Sequence, residues 1–317
     1  MSETNFEVLP TQDVFIHYLF TSEGSEGVLL SFVNAVLADA GRPLVEKIYI
    51  KNTFNPQRFT EDKWFINDIK GVDEEGNVYE IEIQTLNHES FENRILYYWG
   101  REYSNQLVKG EDYRRLNPVI GIAVTRFLLF PDLEKPHNEF YITCKQNPNY
   151  ILTDDLQLHF IELADEKWHK MSQMFPAMCD WLQFLAKANE KTEEEMEVLL
   201  KKNKDVGIRD AYKKYQKFCE TPELRQLAEE RWLADVYKRT LLGEARDKGI
   251  REGLEKGREE GREEERLKNL LKILQVRFGE IPKDVLQKLK FSENDWDTLL
   301  TESITCHTLE EFRERLK

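Results

Sequence analysis

The sequence predicts an α/β domain, a mixed sheet flanked by helices, followed by a helical tail. Strand-like alternation and helical spacing interleave through roughly the first 180 residues, and strand character is then lost. Further on, 17 of the 25 residues from Glu244 to Lys268 are charged, too many for that stretch to enter a core.

The elements follow in order. Residues 13–22 (DVFIHYLFTS) and 27–39 (GVLLSFVNAVLAD) have helical spacing, with Leu29, Phe32, Val33 and Val36 on one face. VEKIYI at 45–50 alternates as a strand does. Two more alternating runs, 63–72 (KWFINDIKGV) and 77–86 (NVYEIEIQTL), flank Asp73–Gly76, an acidic, glycine-containing link that signals a hairpin. An amphipathic helix is expected over about 89–109, starting near Ser90, and 117–127 (NPVIGIAVTRF) reads as a buried strand. Short strands are expected at 138–143 and 157–163. The organisation expected is a domain over 1–180, a helical extension over 181–245, a charged helix over 246–268 and a small helical module over 269–317.

Net charge is −14 over 317 residues. That argues against coating nucleic acid by charge, which needs clustered Lys and Arg. It leaves room for a local basic strip, because salt screens charges beyond roughly 8–10 Å. Cys144, Cys179, Cys219 and Cys306 form no CxxC pair and no ligand spacing with histidine, so structural zinc and a disulfide framework are not expected. The start lacks the basic and apolar stretches of a signal peptide, and no segment has the roughly 18–20 apolar residues of a membrane span. A cytoplasmic location is expected.

The chemical signal lies in the 63–86 hairpin. Glu80, Glu82 and Gln84 project to one face of their strand while Ile81 and Ile83 face the other way. An antiparallel partner can bring Asp68 alongside Glu82, so that both carboxylates grip one hard cation. Mg²⁺ suits such a pair, with Mn²⁺ as a substitute, and the backbone carbonyl of Ile83 offers a third ligand. Such a metal activates water and stabilises charge developing on a phosphate oxygen. The plainer alternative is a set of acids on a solvated hairpin face. Two acids and an amide on one face, feeding a Tyr/Arg-rich helix, favour the metal reading.

DIKGVDEEGNVYEIEIQ, with the following FENRILYYWGREYSNQLVKGEDYRRLNPVIGIAV, resembles the recombination-promoting nuclease/transposase (Rpn) family of PD-(D/E)XK enzymes. The stretch DVFIHYLFTSEGSEGVLLSFVNAVL resembles that family's opening helices, and the glycine-rich charged helix resembles its tail. The end, LLKILQVRFGEIPKDVLQKLK, is similar to a short module often attached there. The resemblance is strongest over 11–127. It implies a restriction-endonuclease-like core, DNA as substrate, Mg²⁺ dependence and a recombination or mobile-element setting. The motif aspartate matches Asp68 and the motif glutamate Glu82; the usual lysine position holds Gln84, as this family's does. Glutamine orients water but supplies no positive charge. Asp13 matches a further acidic position.

In the helix after the motif, Arg94, Tyr98 and Arg101 share a face. Arg94 or Arg101 either meets a phosphate or pairs with the hairpin acids, and Gln106 either hydrogen-bonds near the cleft or does not. Tyr97, Tyr98 and Tyr103 read as core. His88 is a lone loop histidine, and no Ser/His/Asp or Cys/His order supports covalent catalysis.

Gly249, Gly253, Gly257 and Gly261 each cost a helix about 0.8–1 kcal/mol relative to alanine. A glycine stripe lets another backbone approach closely, so one reading is homo-oligomerisation through 246–268. The other is a solvated linker helix held by i,i+4 ion pairs. The readings that compete for the whole chain are a DNA endonuclease, a catalytically inactive DNA-binding protein on the same fold, and a protein-interaction scaffold. Deleting 246–266 reduces the solution mass if the stripe joins copies; an unchanged mass in light scattering would remove that role.

Overall fold

The computed structural model describes residues 6–56, 69–85, 90–290 and 295–316. The chain divides into two compact units, Met1–Asp235 and Val236–Lys317. No helix among the described residues is long and apolar enough to cross a membrane.

The first unit is a mixed α/β layer structure, as the patterning predicts. Helices α1 (Asp13–Thr21) and α2 (Glu26–Asp39) precede β1 (Ile48–Ile50), β2 (Ile69–Asp73) and β3 (Val78–Gln84). Helix α3 (Phe91–Ser104) leads to β4 (Val119–Thr125), then come β5 (His137–Phe140), the small hairpin β6 (Thr143–Cys144) and β7 (Asn147–Ile151), and β8 (Leu156–Glu162). The main sheet has the order β1-β2-β3-β4-β8-β5. Strands β3, β4 and β8 run parallel at its centre, and β1, β2 and β5 add antiparallel edges. Strand β4 is buried along its whole length, which explains why 117–127 reads as a continuous apolar run rather than an alternating one.

The β2–β3 link is fixed by Asp73. Its carboxylate accepts from the Glu75 and Asn77 backbone N–H (2.9 and 2.8 Å), the Asn77 side chain (2.8 Å) and the Tyr79 hydroxyl (3.0 Å). Gly76 takes the left-handed conformation this turn needs, at φ 93°. Helix α3 is shorter than the 89–109 pattern suggests. It ends at Ser104, and the Gln106 amide then clamps the Asn117 backbone, donating to its carbonyl (2.9 Å) and accepting from its N–H (2.8 Å). Polar and apolar spacing continue past Ser104, but the chain must turn there to enter β4.

One sheet face packs on α1, α2, α4 (Pro176–Lys187) and α6 (Val206–Glu220), in a core that includes Phe15, Phe32, Trp181, Phe184 and Phe218. Helix α5 (Glu193–Lys202) has a capping box between Thr192 and Glu195. Helices α4, α5 and α6 thus share the core of α1 and α2. Ser31 links three of them, donating to Asp205 (2.7 Å) and accepting from the Trp181 indole N–H (3.1 Å). A Cβ on Gly207 would meet the Ser31 Cβ at 2.2 Å, so only glycine permits this approach of α6 to α2. The opposite sheet face carries α3 over a second cluster of Phe91, Ile95, Ala123, Leu158 and Phe160.

The second unit holds most of α7 (Pro222–Phe278), whose residues 222–235 belong to the first, with α8 (Lys283–Lys290), α9 (Trp296–Thr305) and α10 (Leu309–Arg315). Its core includes Leu270, Leu274, Val285, Leu299 and Phe312. Gly279, at φ 81°, ends α7. Arg277 closes the end of α9 by donating to the Ser303 and Cys306 carbonyls (2.5 and 2.9 Å). Along α7 a Cβ at Gly249, Gly253, Gly257 or Gly261 would meet no described atom within 4 Å.

A buried ion pair fixes the turn after β4. Glu162 accepts from the Leu129 and Phe130 backbone N–H (2.6 and 3.0 Å) and pairs with Lys167, which also donates to the Phe130 carbonyl (2.9 Å). Removing the cation alone strands a buried carboxylate. Lys167→Met should therefore destabilise the fold by about 3–5 kcal/mol in a urea melt, and less than about 1 kcal/mol would show that Glu162 is satisfied without it.

Candidate functional site

Alternation along β3 separates two chemistries. Tyr79, Ile81 and Ile83 join the α1/α2 core, while Glu80, Glu82 and Gln84 turn toward α3. Across the parallel ladder, Glu80 and Glu82 stand beside Gly121 and Ala123 of β4. Those small residues leave a crevice under α3, lined by Glu80, Glu82, Ile95, Tyr98, Trp99 and Gly121. A Cβ on Gly121 would also lie 2.8 Å from the Leu158 side chain, which would have to shift to admit it.

Helix α3 is held over this crevice by specific contacts. The Trp99 indole donates to the Val119 carbonyl (3.0 Å) and stacks on Tyr103 at 5.2 Å between ring centroids. The Tyr103 hydroxyl donates to Asp155 (2.5 Å), and that hydrogen bond, with some burial, pushes the phenol up to about 12, so it stays protonated. The three tyrosines expected in the core divide: Tyr98 is buried, Tyr103 is half-buried and Tyr97 is exposed.

Glu82 is only 8% exposed. Arg94 pairs with its Oε1 and donates to Gln84 Oε1 at 2.9 Å, so one guanidinium joins both motif side chains. Of the two readings for Arg94, the structure supports pairing with a hairpin acid. Arg101 is exposed, its guanidinium 5.2 Å from the Tyr98 ring centroid. Gln106 is engaged away from the crevice, both ends of its amide being taken up by Asn117.

The carboxyl ends of β3 and β4 form the other side of the site. The Gln84 carbonyl accepts from the Arg126 N–H (3.1 Å) and so faces β4. Carbonyls alternate along a strand, so that of Ile83 points to the β2 side. The described pairing with β2 ends there at Ile69↔Ile81. The Arg126 side chain reaches back to the Thr11 hydroxyl (3.1 Å), two residues before Asp13. Asp13 opens α1 and pairs with Arg231 of α7 (2.7 Å), while Gln12 donates to the Ala228 carbonyl (2.6 Å). The segment carrying Asp13 is thereby strapped to the strand ends that carry Gln84. Asp68 and His88 lie outside the described residues.

Among the described residues, no three His, Cys, Asp or Glu side chains cluster to hold a metal ion. Donor chemistry still fits a hard cation, since the Glu82 carboxylate and the Ile83 carbonyl are both oxygen donors. Arg126, Thr11 and Arg231 escape a motif-based reading. The signal available for Arg126 is that it is the only charged residue in 117–127, at the carboxyl end of a buried strand.

The family model for PD-(D/E)XK nuclease family transposases matches residues 10–245. The match bears out the resemblance read from the motif region and extends through α4, α5 and α6 into the start of α7. No curated protein and no solved structure matches the chain.

The Arg94–Glu82 contact is measurable by a double-mutant cycle. Arg94→Ala, Glu82→Ala and the double variant should show a coupling of about 0.5–3 kcal/mol in urea unfolding, whereas additive losses would mean that the two side chains do not interact.

Proposed function

From the premise that this chain belongs to the PD-(D/E)XK nuclease family of transposases, we propose that it is a Mg²⁺-dependent DNA endonuclease. Its reaction is hydrolysis of a phosphodiester in a recombination or mobile-element setting, in the cytoplasm. The observation that carries this reading is the placement of Glu82 and Gln84 side by side at the carboxyl end of a central parallel strand, where open α/β sheets bind their ligands.

Asp68, Glu82 and the Ile83 carbonyl would hold the cation, with Mn²⁺ as a substitute, and Asp13 would add an outer acid. The bound cation would supply Lewis acidity to the phosphate. The chain's own contribution is positioning. Gln84 orients the attacking water through its amide. Arg94 fixes the rotamers of Glu82 and Gln84 together, so neither has to be ordered when substrate arrives. Arg101, exposed on the same helix, is the helix cation proposed to meet a phosphate.

The second reading is a catalytically inactive DNA-binding or scaffolding protein that kept the fold. Arg94 favours it, since the guanidinium already balances the charge a cation would meet on Glu82. For either reading, homo-oligomerisation through 246–268 remains the proposed use of the glycine stripe: it has no packing partner among the described residues of its own chain, and Ile250 and Leu254 beside it are half or more exposed.

Supercoiled plasmid with Mg²⁺ or Mn²⁺ separates the readings. The wild type should nick or linearise it, and Asp68→Ala and Glu82→Ala should each slow cleavage by about 100-fold or more, the equivalent of about 2.7 kcal/mol of barrier. A wild type that binds plasmid but leaves it intact with every divalent metal would establish the inactive binder.

A further inference from the structure

Arg126 stands apart from the other cations near the site. Lys70, Arg94 and Arg231 each meet a carboxylate, on Glu102, Glu82 and Asp13. Arg126 meets none among the described residues; its one side-chain hydrogen bond goes to the neutral Thr11 hydroxyl, at 3.1 Å. The side chain is exposed, and Thr11 beneath it is 1% exposed. A guanidinium presents five donors in a rigid fork, so one bond to threonine leaves most of the fork for an anion.

Its backbone is held on both sides. The Arg126 N–H donates to the Gln84 carbonyl (3.1 Å), which places the residue beside the last motif position. The preceding Thr125 is fully buried and donates to the Phe127 carbonyl (3.0 Å). Beyond it, the Leu129 and Phe130 N–H groups are held by the buried Glu162. A cation presented from a pinned turn, at the carboxyl ends of two parallel strands, loses little entropy on meeting an anion.

We propose that Arg126 is a binding residue for a backbone phosphate of the DNA strand that lies across the carboxyl ends of β3 and β4. Thr11 aims the guanidinium, and the Gln84 carbonyl sets its distance from the motif. The assignment rests on the nuclease reading and adds to it the place where the strand crosses the sheet edge. In a chain of net charge −14, an individually placed cation of this kind gives a local phosphate contact without a broad basic surface.

The test is the salt dependence of duplex DNA binding, measured by fluorescence anisotropy with Ca²⁺ in place of Mg²⁺, for the wild type, Arg126→Gln and Arg126→Lys. Glutamine removes the charge while leaving a polar side chain, and thermal melts check that each variant folds. Loss of one phosphate contact should lower the slope of log K against log salt by about 0.9, and lysine should restore it. A wild-type slope in Arg126→Gln would overturn the assignment while leaving the nuclease reading intact, as would a lowered slope that lysine fails to restore. A wild type with no affinity for DNA at low salt would overturn both.

Discussion

The parallel pairing of β3 with β4 is the constraint on which the rest of the molecule depends. Parallel neighbours cannot be joined by a tight turn, so the chain must cross between them through a separate element, here α3. Because the pair sits at the centre of the sheet, both of its faces must be covered. The helical layer of α1, α2, α4 and α6 covers the isoleucine face, and α3 covers the face with Glu80 and Glu82. Burial of Glu82, with Glu80 half-buried beside it, is tolerable under the apolar face of α3 because Gly121 and Ala123 leave space and the helix brings Arg94 to Glu82.

Charge is distributed to the same end. Although the chain is acidic overall, its cations near the sheet edge are individually placed. Arg94 binds two motif side chains, Lys70 meets Glu102, and Arg231 meets Asp13. These contacts are partly or largely sequestered from water, where an ion pair counts for more than on an open surface. The pairs along α7, Lys248–Glu252 and Lys256–Glu260, are loose at 3.8 and 3.9 Å and exposed, so they support the helix only weakly.

The start of α7 belongs physically with the nuclease core. Gln12 reaches Ala228, Asp13 reaches Arg231, and Phe6 packs on Trp232 at 5.7 Å. The segment over 181–245, which composition sets apart as a helical extension, therefore includes helices that complete the core and a helix start that holds Asp13. Composition marks it as different because those helices bury one face and solvate the other. The loss of strand alternation after about residue 180 marks it as well.

The sequence by itself determined the layer architecture, the hairpin at Asp73–Gly76, the buried character of β4 and the common face of Glu82 and Gln84. All of these follow from periodicity or turn chemistry, which act over a few residues. Tertiary structure alone decided how the long-range cations are used. Whether Arg94 meets Glu82, whether Arg126 rests on Thr11, and whether Gln106 clamps Asn117 depend on contacts between segments 11 to 115 residues apart. A side chain's reach is a few ångströms in space and carries no periodic signature along the chain, so those partners became legible only once the sheet had brought the segments together.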